Sequence, residues 1–390
     1  MKTSTSKRLR WNVAIWLAAG LFMAGPAGMA SGPIMPDPKA EARHQPQVEE
    51  TANGIPLVNI TAPSSGGVSR NEYEIFNVPD KGAILNNSYT LSKTELAGYV
   101  QGNNNMAERP AKIIVNEVTG AGPTSMDGFL EVAGNRADVV IANPNGITVN
   151  GGGFINTGKA FLTTGKPVYD GEDHLQRFDI TGGDILIEGK GLGGKETESL
   201  AILSRAVKIN AGIWAKDLHI TTGANTVDAK TLEASAIEGK GGRPAFALDT
   251  AAIGGMYAGR ITLVGTEKGL GVNNSGAWSA EDNLTLDWNG DLKNSGTIYS
   301  KGNTDLRASR LENDKTIAAE RNLSAAAKEN IRNQGKLLAG ENIDIYAGKT
   351  LDNAGHAMES GNNLSIETGD AINNAAGTIK SGGSQQIKAG

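Results

Sequence analysis

Paired carboxylates are the first chemistry to seek in this chain. Two acids on one face, with Ca²⁺, Arg or Lys beside them, are what polysaccharide lyases and hydrolases use. The candidates are Glu172, Asp173 and Asp179, and separately Glu196 and Glu198. Both groups fall in Gly-rich, turn-like stretches, where acids normally serve as solvated loop charges. The four histidines, His44, His174, His219 and His356, are widely scattered. With no H-x-x-x-H and no cysteine, no metal-ligand spacing exists. Gly151-Gly152-Gly153 stands between strand-like segments without a following helix or Lys-Ser/Thr, so it is not a phosphate loop. Aromatic residues make up 5 %, too few to stack nucleic-acid bases. The expectation is a protein that is not an enzyme and holds no metal or cofactor.

The elements behind these residues are short strands. Gly contributes 52 of 390 residues, and mean hydropathy is -0.28. That excludes an integral membrane protein and a Leu/Ala-rich helix bundle, and Gly and Asn supply tight turns. The class is all-β. The formal charge is -5. Residues 1–30 hold four cations and no acid, so a chain starting at Ser31 carries -9 and has no electrostatic footprint for nucleic acid or anionic lipid. An exported chain without cysteine also suits transit as an unfolded thread, since no periplasmic disulfide can form.

Lys7-Arg8-Leu9-Arg10, an apolar run from Trp11 to Gly25 and small residues at Gly28 and Ala30 have the order of a secretory signal peptide. The run is too short to span a bilayer, which takes ~20 apolar residues. Cleavage is expected between Ala30 and Ser31. Residues 31–50 hold four of the 13 prolines and read as a flexible lead-in, with the folded body starting near Thr51.

The C-terminal third repeats. Segments opening at residues 272, 292, 311, 331, 351 and 372 each carry an Asn: Asn274, Asn294, Asn313, Asn333, Asn353 and Asn374. Four or five residues later stands Trp278, Ile298, Ile317, Leu337, Met358 or Ile379. A second polar position follows at Asn283, Asn303, Asn322, Asn342, Asn363 and Ser384, then strand-like alternation such as Asn342-Ile343-Asp344-Ile345. A unit of ~20 residues made of short alternating strands and Gly/Asn turns is one coil of a β-helix. Stacked coils put equivalent residues about 4.8 Å apart, with apolar ladders inside and Asn ladders at the corners. Ile379 and Ile387 keep the register, and nothing resembling a cap follows them. Ile379 should therefore be more exposed than Leu337 and Ile317, in a chain that continues beyond Gly390.

Residues 51–265 keep this texture without the period, with strands expected at Ala111–Val118, Arg136–Ala142, Asp184–Glu188 and Ala206–Ile209. Here the chain resembles a known family. Ala83–Ser88, Tyr99–Gly102, Ala111–Val118, Gly128–Arg136 and the run Ala137–Gly165 resemble the two-partner secretion (TPS) domain. That domain opens filamentous haemagglutinins, contact-dependent inhibition proteins and haemolysins of the same pathway. The family marker Asn-Pro-Asn-Gly stands as Asn143-Pro144-Asn145-Gly146, a turn in which Pro fixes φ and Asn-Gly closes the bend. The second marker, usually Asn-Pro-Asn-Leu, reads Asn103-Asn104-Asn105-Met106, and a turn tolerates that exchange because Asn is itself a turn residue.

The resemblance implies a right-handed parallel β-helix with an N-terminal cap and short extra-helical β-hairpins. It divides the chain into a signal peptide (1–30), a lead-in (31–50), a TPS domain (51–265) and haemagglutinin-type repeats (266–390). It further implies export by the general secretion machinery, then recognition by an outer-membrane TpsB-type β-barrel with POTRA modules. The two markers would be the recognition and secretion motifs. The product would be secreted or held on the cell surface, where an adhesin would meet a host-cell or bacterial receptor. A toxin-delivery stalk and a haemolytic or haem-acquiring exoprotein are the alternatives.

Overall fold

The computed structural model describes residues 32–107 and 109–390. The expected signal peptide and its Ala30/Ser31 cleavage site lie outside these residues. Most strands are short and alternate in burial. Leu284–Trp288 and Ile343–Ala347 each turn alternate side chains inward and leave the intervening ones at least partly exposed. Such a strand buries half its side chains and cannot stand alone, so coils stack and share one core.

The result is a parallel β-solenoid with three faces. The first is an 11-stranded parallel sheet that starts at Thr124–Met126 and ends at Ile372–Asn373. The second runs through Ala83–Asn87, Phe129–Gly134, Gly152–Ile155 and Leu192–Gly194 into the repeats. The third runs through Val68–Phe76, Ile113–Val118, Ala137–Ala142, Thr157–Thr163 and Ser199–Ser204. Gly212–Thr222 and Gly255–Gly265 are long strands that serve both the second and third faces. The four expected strands appear at Ile113–Val118, Ala137–Ala142, Asp184–Ile187 and Ala206–Ile209.

In the repeats the ladders stand as read. Trp278, Ile298, Ile317, Leu337, Met358 and Ile379 pair in register from coil to coil. From Asn274 to Asn374 each corner Asn donates its amide to the next one's carbonyl oxygen at 2.7–2.8 Å. Buried amides need partners, and a column of identical residues supplies donor and acceptor at every step. On the last coil Ile379 is only partly buried and Ile387 is 48 % exposed, whereas Ile317 and Leu337 are fully buried.

Residues 34–50 depart from the lead-in expectation. Ile34–Pro36 pairs antiparallel with Val68–Phe76, and Gln47–Glu50 pairs antiparallel with Pro56–Asn59. Ile34 and Val48 pack against the main core, so this proline-bearing stretch closes the N-terminal end of the solenoid. Prolines are compatible with these strands because a strand at the end of a stack needs few ladder N–H groups.

Three inserted segments decorate the coils as a hairpin and a small sheet. The hairpin Ser92–Thr94/Gly98–Val100 covers a small cluster that includes Ile84 and Ala133. The buried Glu131 carboxylate pins it by accepting the Glu95 and Leu96 N–H groups at 2.7 and 2.9 Å. Lys166–Tyr169, Leu175–Ile180, Asn225–Asp228 and Ala234–Ala236 form an antiparallel sheet. That sheet lays Phe178, Ile180 and Val227 over the outer side of the third face, against Val115, Val140, Phe161 and Leu203.

Candidate functional site

Asn143-Pro144-Asn145-Gly146 turns the chain from the third face, after Ala137–Ala142, into the first, before Ile147–Val149. Asn143 is fully buried. Its Oδ1 accepts the Asn145 N–H at 2.9 Å and the Asn145 amide at 3.0 Å, and its carbonyl accepts the Gly146 N–H at 3.1 Å. Its own Nδ2 donates to the Gly122 carbonyl and to Thr124 Oγ1, each at 3.0 Å. Asn145 Nδ2 donates to the Gly120 carbonyl at 2.8 Å. The Asn143 N–H reaches the Thr163 carbonyl at 2.9 Å in the following coil. One turn thus stitches three successive coils, and only an amide side chain can bend the turn and reach the coil before it. Gly146 takes φ +111°, and a Cβ there would stand 3.0 Å from the Asp184 carbonyl. An L side chain is strained at that backbone and crowded by the next coil.

Asn103-Asn104-Asn105-Met106 makes the same turn. Asn103 Oδ1 accepts the Asn105 N–H at 2.9 Å, and the Met106 N–H donates to the Asn103 carbonyl at 3.1 Å. Asn103 Nδ2 donates to the Ile60 and Asn86 carbonyls at 2.8 and 3.0 Å, tying together the ends of two second-face strands. Asn104 and Pro144 occupy equivalent exposed positions. The fourth positions differ for a packing reason: Met106 fills the main core, while Gly146 lies under the backbone of the next coil.

The structure does not bring the two turns together. One precedes the third face and the other follows it, so they are separated by the length of a strand such as Ile113–Val118, about 20 Å.

The matches to known proteins follow this geometry. Residues 33–299 match the TPS secretion domain, and residues 299–390 match the haemagglutinin repeat. The chain belongs to the TPS secretion domain family. Toxin CdiA of Yersinia pestis is 42 % identical over 298 residues, covering 70 % of this chain and 9 % of that protein. The 16S rRNA endonuclease CdiA of Enterobacter cloacae is 39 % identical over 335 residues, covering 85 % and 10 %. The crystal structure of the filamentous hemagglutinin secretion domain superposes with a TM-score of 0.57 at 26 % identity, covering 91 % of this chain and all of that one. The chain spans about a tenth of the length of the curated relatives it matches. The toxin and endonuclease names belong to those longer proteins, whereas residues 33–299 of this chain match a secretion domain.

One constellation in this secretion domain escaped the reading. Glu72 and Glu117 stand directly opposite on neighbouring third-face strands, a like-charge pairing that is normally unfavourable. Arg70 relieves it, reaching Glu72 at 2.9 Å and Glu117 at 3.4 Å, and its guanidinium carbon lies 4.4 Å from the Tyr169 ring centroid. His44 from the N-terminal cap approaches Glu72 at 3.0 Å. Arg43 reaches Asp173 at 2.6 Å, so Asp173 anchors the decorating sheet to the cap and is not a free loop charge. Burial pushes the Glu117 carboxyl above its ordinary value, against the opposing pull of Arg70. The cluster joins cap, coil face and decorating sheet.

The other acids behave as solvent-side charges: Asp179 pairs with Arg177, Glu198 pairs with Arg136, and Glu172 and Glu196 are exposed. Among the described residues no group of three or more His, Asp or Glu side chains is placed to hold a metal ion.

Proposed function

We propose that residues 33–265 are the export signal and folding nucleus of a larger two-partner-secreted exoprotein, and that residues 266–390 begin its stalk. The observation that carries this reading is the TPS secretion domain match over residues 33–299. The partner is an outer-membrane TpsB-type barrel whose periplasmic POTRA modules bind the unfolded segment. Asn143, Pro144, Asn145 and Gly146 contribute to recognition, with Asn103, Asn104, Asn105 and Met106 as the second element. The general secretion machinery delivers the chain to the periplasm, and it emerges outside the outer membrane.

Folding supplies the drive without ATP. Each emerging coil finds a preformed β edge, pairs with it and buries its apolar ladder, which opposes backsliding. Contacts between successive coils are local, so no slow long-range search intervenes. The buried Asn143 turn suits a nucleus because it joins the coils before and after it through one side chain.

For the whole protein, delivery of a C-terminal toxin in contact-dependent inhibition is the better supported reading. It rests on relatives named CdiA at 38–43 % identity, against 26 % for the haemagglutinin domain that favours an adhesin. A growth-inhibition co-culture using cells that carry the complete gene separates the two.

Export is tested with Asn143→Ala. The substitution removes the acceptor of the Asn145 N–H and amide and the donor to Thr124 Oγ1, and leaves the Gly122 carbonyl only a 3.5 Å bond from Asn145, which costs about 2–4 kcal/mol. Secretion should fall at least tenfold in cells that carry the transporter. If refolded variant and wild type melt alike while secretion falls, the turn acts in recognition. If both fall together, it acts in folding. Unchanged secretion removes the motif from the mechanism.

A further inference from the structure

The outward side of the second face carries a column that is neither charged nor small throughout. Phe129, Gly153, Gly193, Trp214, Tyr257 and Ser279 follow one another in register on successive coils. Glycines lie beneath the rings. A Cβ on Gly153 would stand 2.4 Å from the Phe129 ring, and one on Gly212 would stand 2.5 Å from the Trp214 ring. A Cβ on Gly255 would stand 2.8 Å from the Tyr257 hydroxyl.

Each ring therefore lies back over bare backbone, where any larger residue would lift it. The Trp214 and Tyr257 rings are near parallel, at 17° with centroids 6.1 Å apart. Tyr257 remains 41 % exposed and Phe129 43 %. Exposed aromatic surface kept flat on a rigid sheet carries a hydration cost that folding does not require.

Trp214 and Tyr257 floor a depression of about 440 Å³, whose rim includes Lys195, Lys216, Ser279 and Glu281. That volume falls in the range of small-ligand sites. Glu281 is paired with Lys301. Among the described residues neither Lys195 nor Lys216 has a carboxylate within ion-pair reach, so the rim presents two uncompensated cations.

We propose that this depression binds an acidic glycan: Trp214 and Tyr257 stack against the apolar C–H faces of adjoining pyranose rings, while Lys195 and Lys216 take sugar carboxylates. Flat rings select a flat apolar face, and free ammonium groups select an anion through charge-assisted bonds. A single-stranded nucleic acid needs a positively charged groove that follows its phosphates over several nucleotides, whereas this rim holds only two lysines beside Glu281. The site is independent of the export reading, because it forms only in the folded solenoid.

Titration calorimetry on the secreted, folded chain tests this with hexamers of oligogalacturonate, oligoalginate and hyaluronan. Maltohexaose and a ten-residue oligo-dT are the comparators. At least one acidic hexamer should bind, at least tenfold tighter than maltohexaose or oligo-dT. Trp214→Ala and Tyr257→Ala should each weaken it at least tenfold, and Lys195→Gln with Lys216→Gln should remove most of the salt dependence. Tyr346→Ala, an exposed tyrosine in the repeats, should leave binding unchanged. Thermal melts check folding, and the lysine pair, being surface residues, keeps the test decisive if Trp214→Ala unfolds. Binding by no acidic hexamer overturns the proposal. So does equal binding of maltohexaose, tighter binding of oligo-dT, or undiminished binding in folded variants.

Discussion

The solenoid is built in two ways along one axis. From residue 271 onward the coils follow one another at about 20 residues with the same corner Asn each time, and no insertion interrupts them. Before that, coil length varies, the outer faces carry added antiparallel strands, and second and third apolar clusters form outside the main core. The repeats are held by identical neighbours, so their stability is a sum of similar small interface terms. The N-terminal half is held by particular residues joined across long stretches of chain, such as Arg43 with Asp173 and Arg205 with Glu267. The folding nucleus proposed for this region would need such pairings, because it has no earlier coil to copy.

The contrast is broken hardest by Phe178→Ala. Phe178 is fully buried between the decorating sheet and the third face, near Phe161. Its truncation should cost about 3–5 kcal/mol in a denaturant melt. A cost below 1 kcal/mol would mean that the decorating sheet is an ornament and the coils alone carry the N-terminal half.

Asn313→Ala probes the other half. It removes the acceptor of the Asn294 amide and the donor to Asn333, for about 2 kcal/mol. The sharper measurement is Asn294→Ala combined with Asn313→Ala. If the ladder acts as a chain, the double variant costs clearly less than the sum, because the first break already orphans the neighbour. Strict additivity would reduce the ladder to independent turns.

Acid sensitivity should sit mainly in the N-terminal half. Burial lowers His219 from 6.5 to about 4. Its folded pKa lies below the unfolded value, so its contribution is complete above pH 6.5 and is lost as pH falls towards 4. His219 is only half-buried, which reduces the expected loss to about 1–2 kcal/mol. His219→Gln should flatten the stability profile between those pH values, and an unchanged profile would point to other groups.

The smallest effect is expected from Asn104→Pro, which restores the proline of the family's second marker and leaves Met106 in place of its leucine. Asn104 is exposed and occupies the place that Pro144 fills in the other turn, so the change should stabilise by up to about 1 kcal/mol. Export should be unchanged, since the bonds of Asn103 and Asn105 already form. A large gain in secretion would show that the proline itself is recognised.

Features that repeat or are local could be read directly from the residues. The coil period, the inward ladder from Trp278 to Ile379 and the corner asparagines follow from a strand's period of two and from turn chemistry, both readable within ~20 residues. The marker turns were legible for the same reason, since Asn143 and Asn145 act first on each other. The cap at residues 34–50, the cluster of His44, Arg70, Glu72, Glu117 and Asp173, and the aromatic column on the second face emerge only in the folded molecule. Apart from the short hairpin that pairs Gln47–Glu50 with Pro56–Asn59 and the neighbours Arg70 and Glu72, those features join residues about 20 to 130 positions apart without a period. An antiparallel pairing or a buried ion pair between distant segments leaves no local pattern, because it exists only once the intervening coils have stacked and set the register.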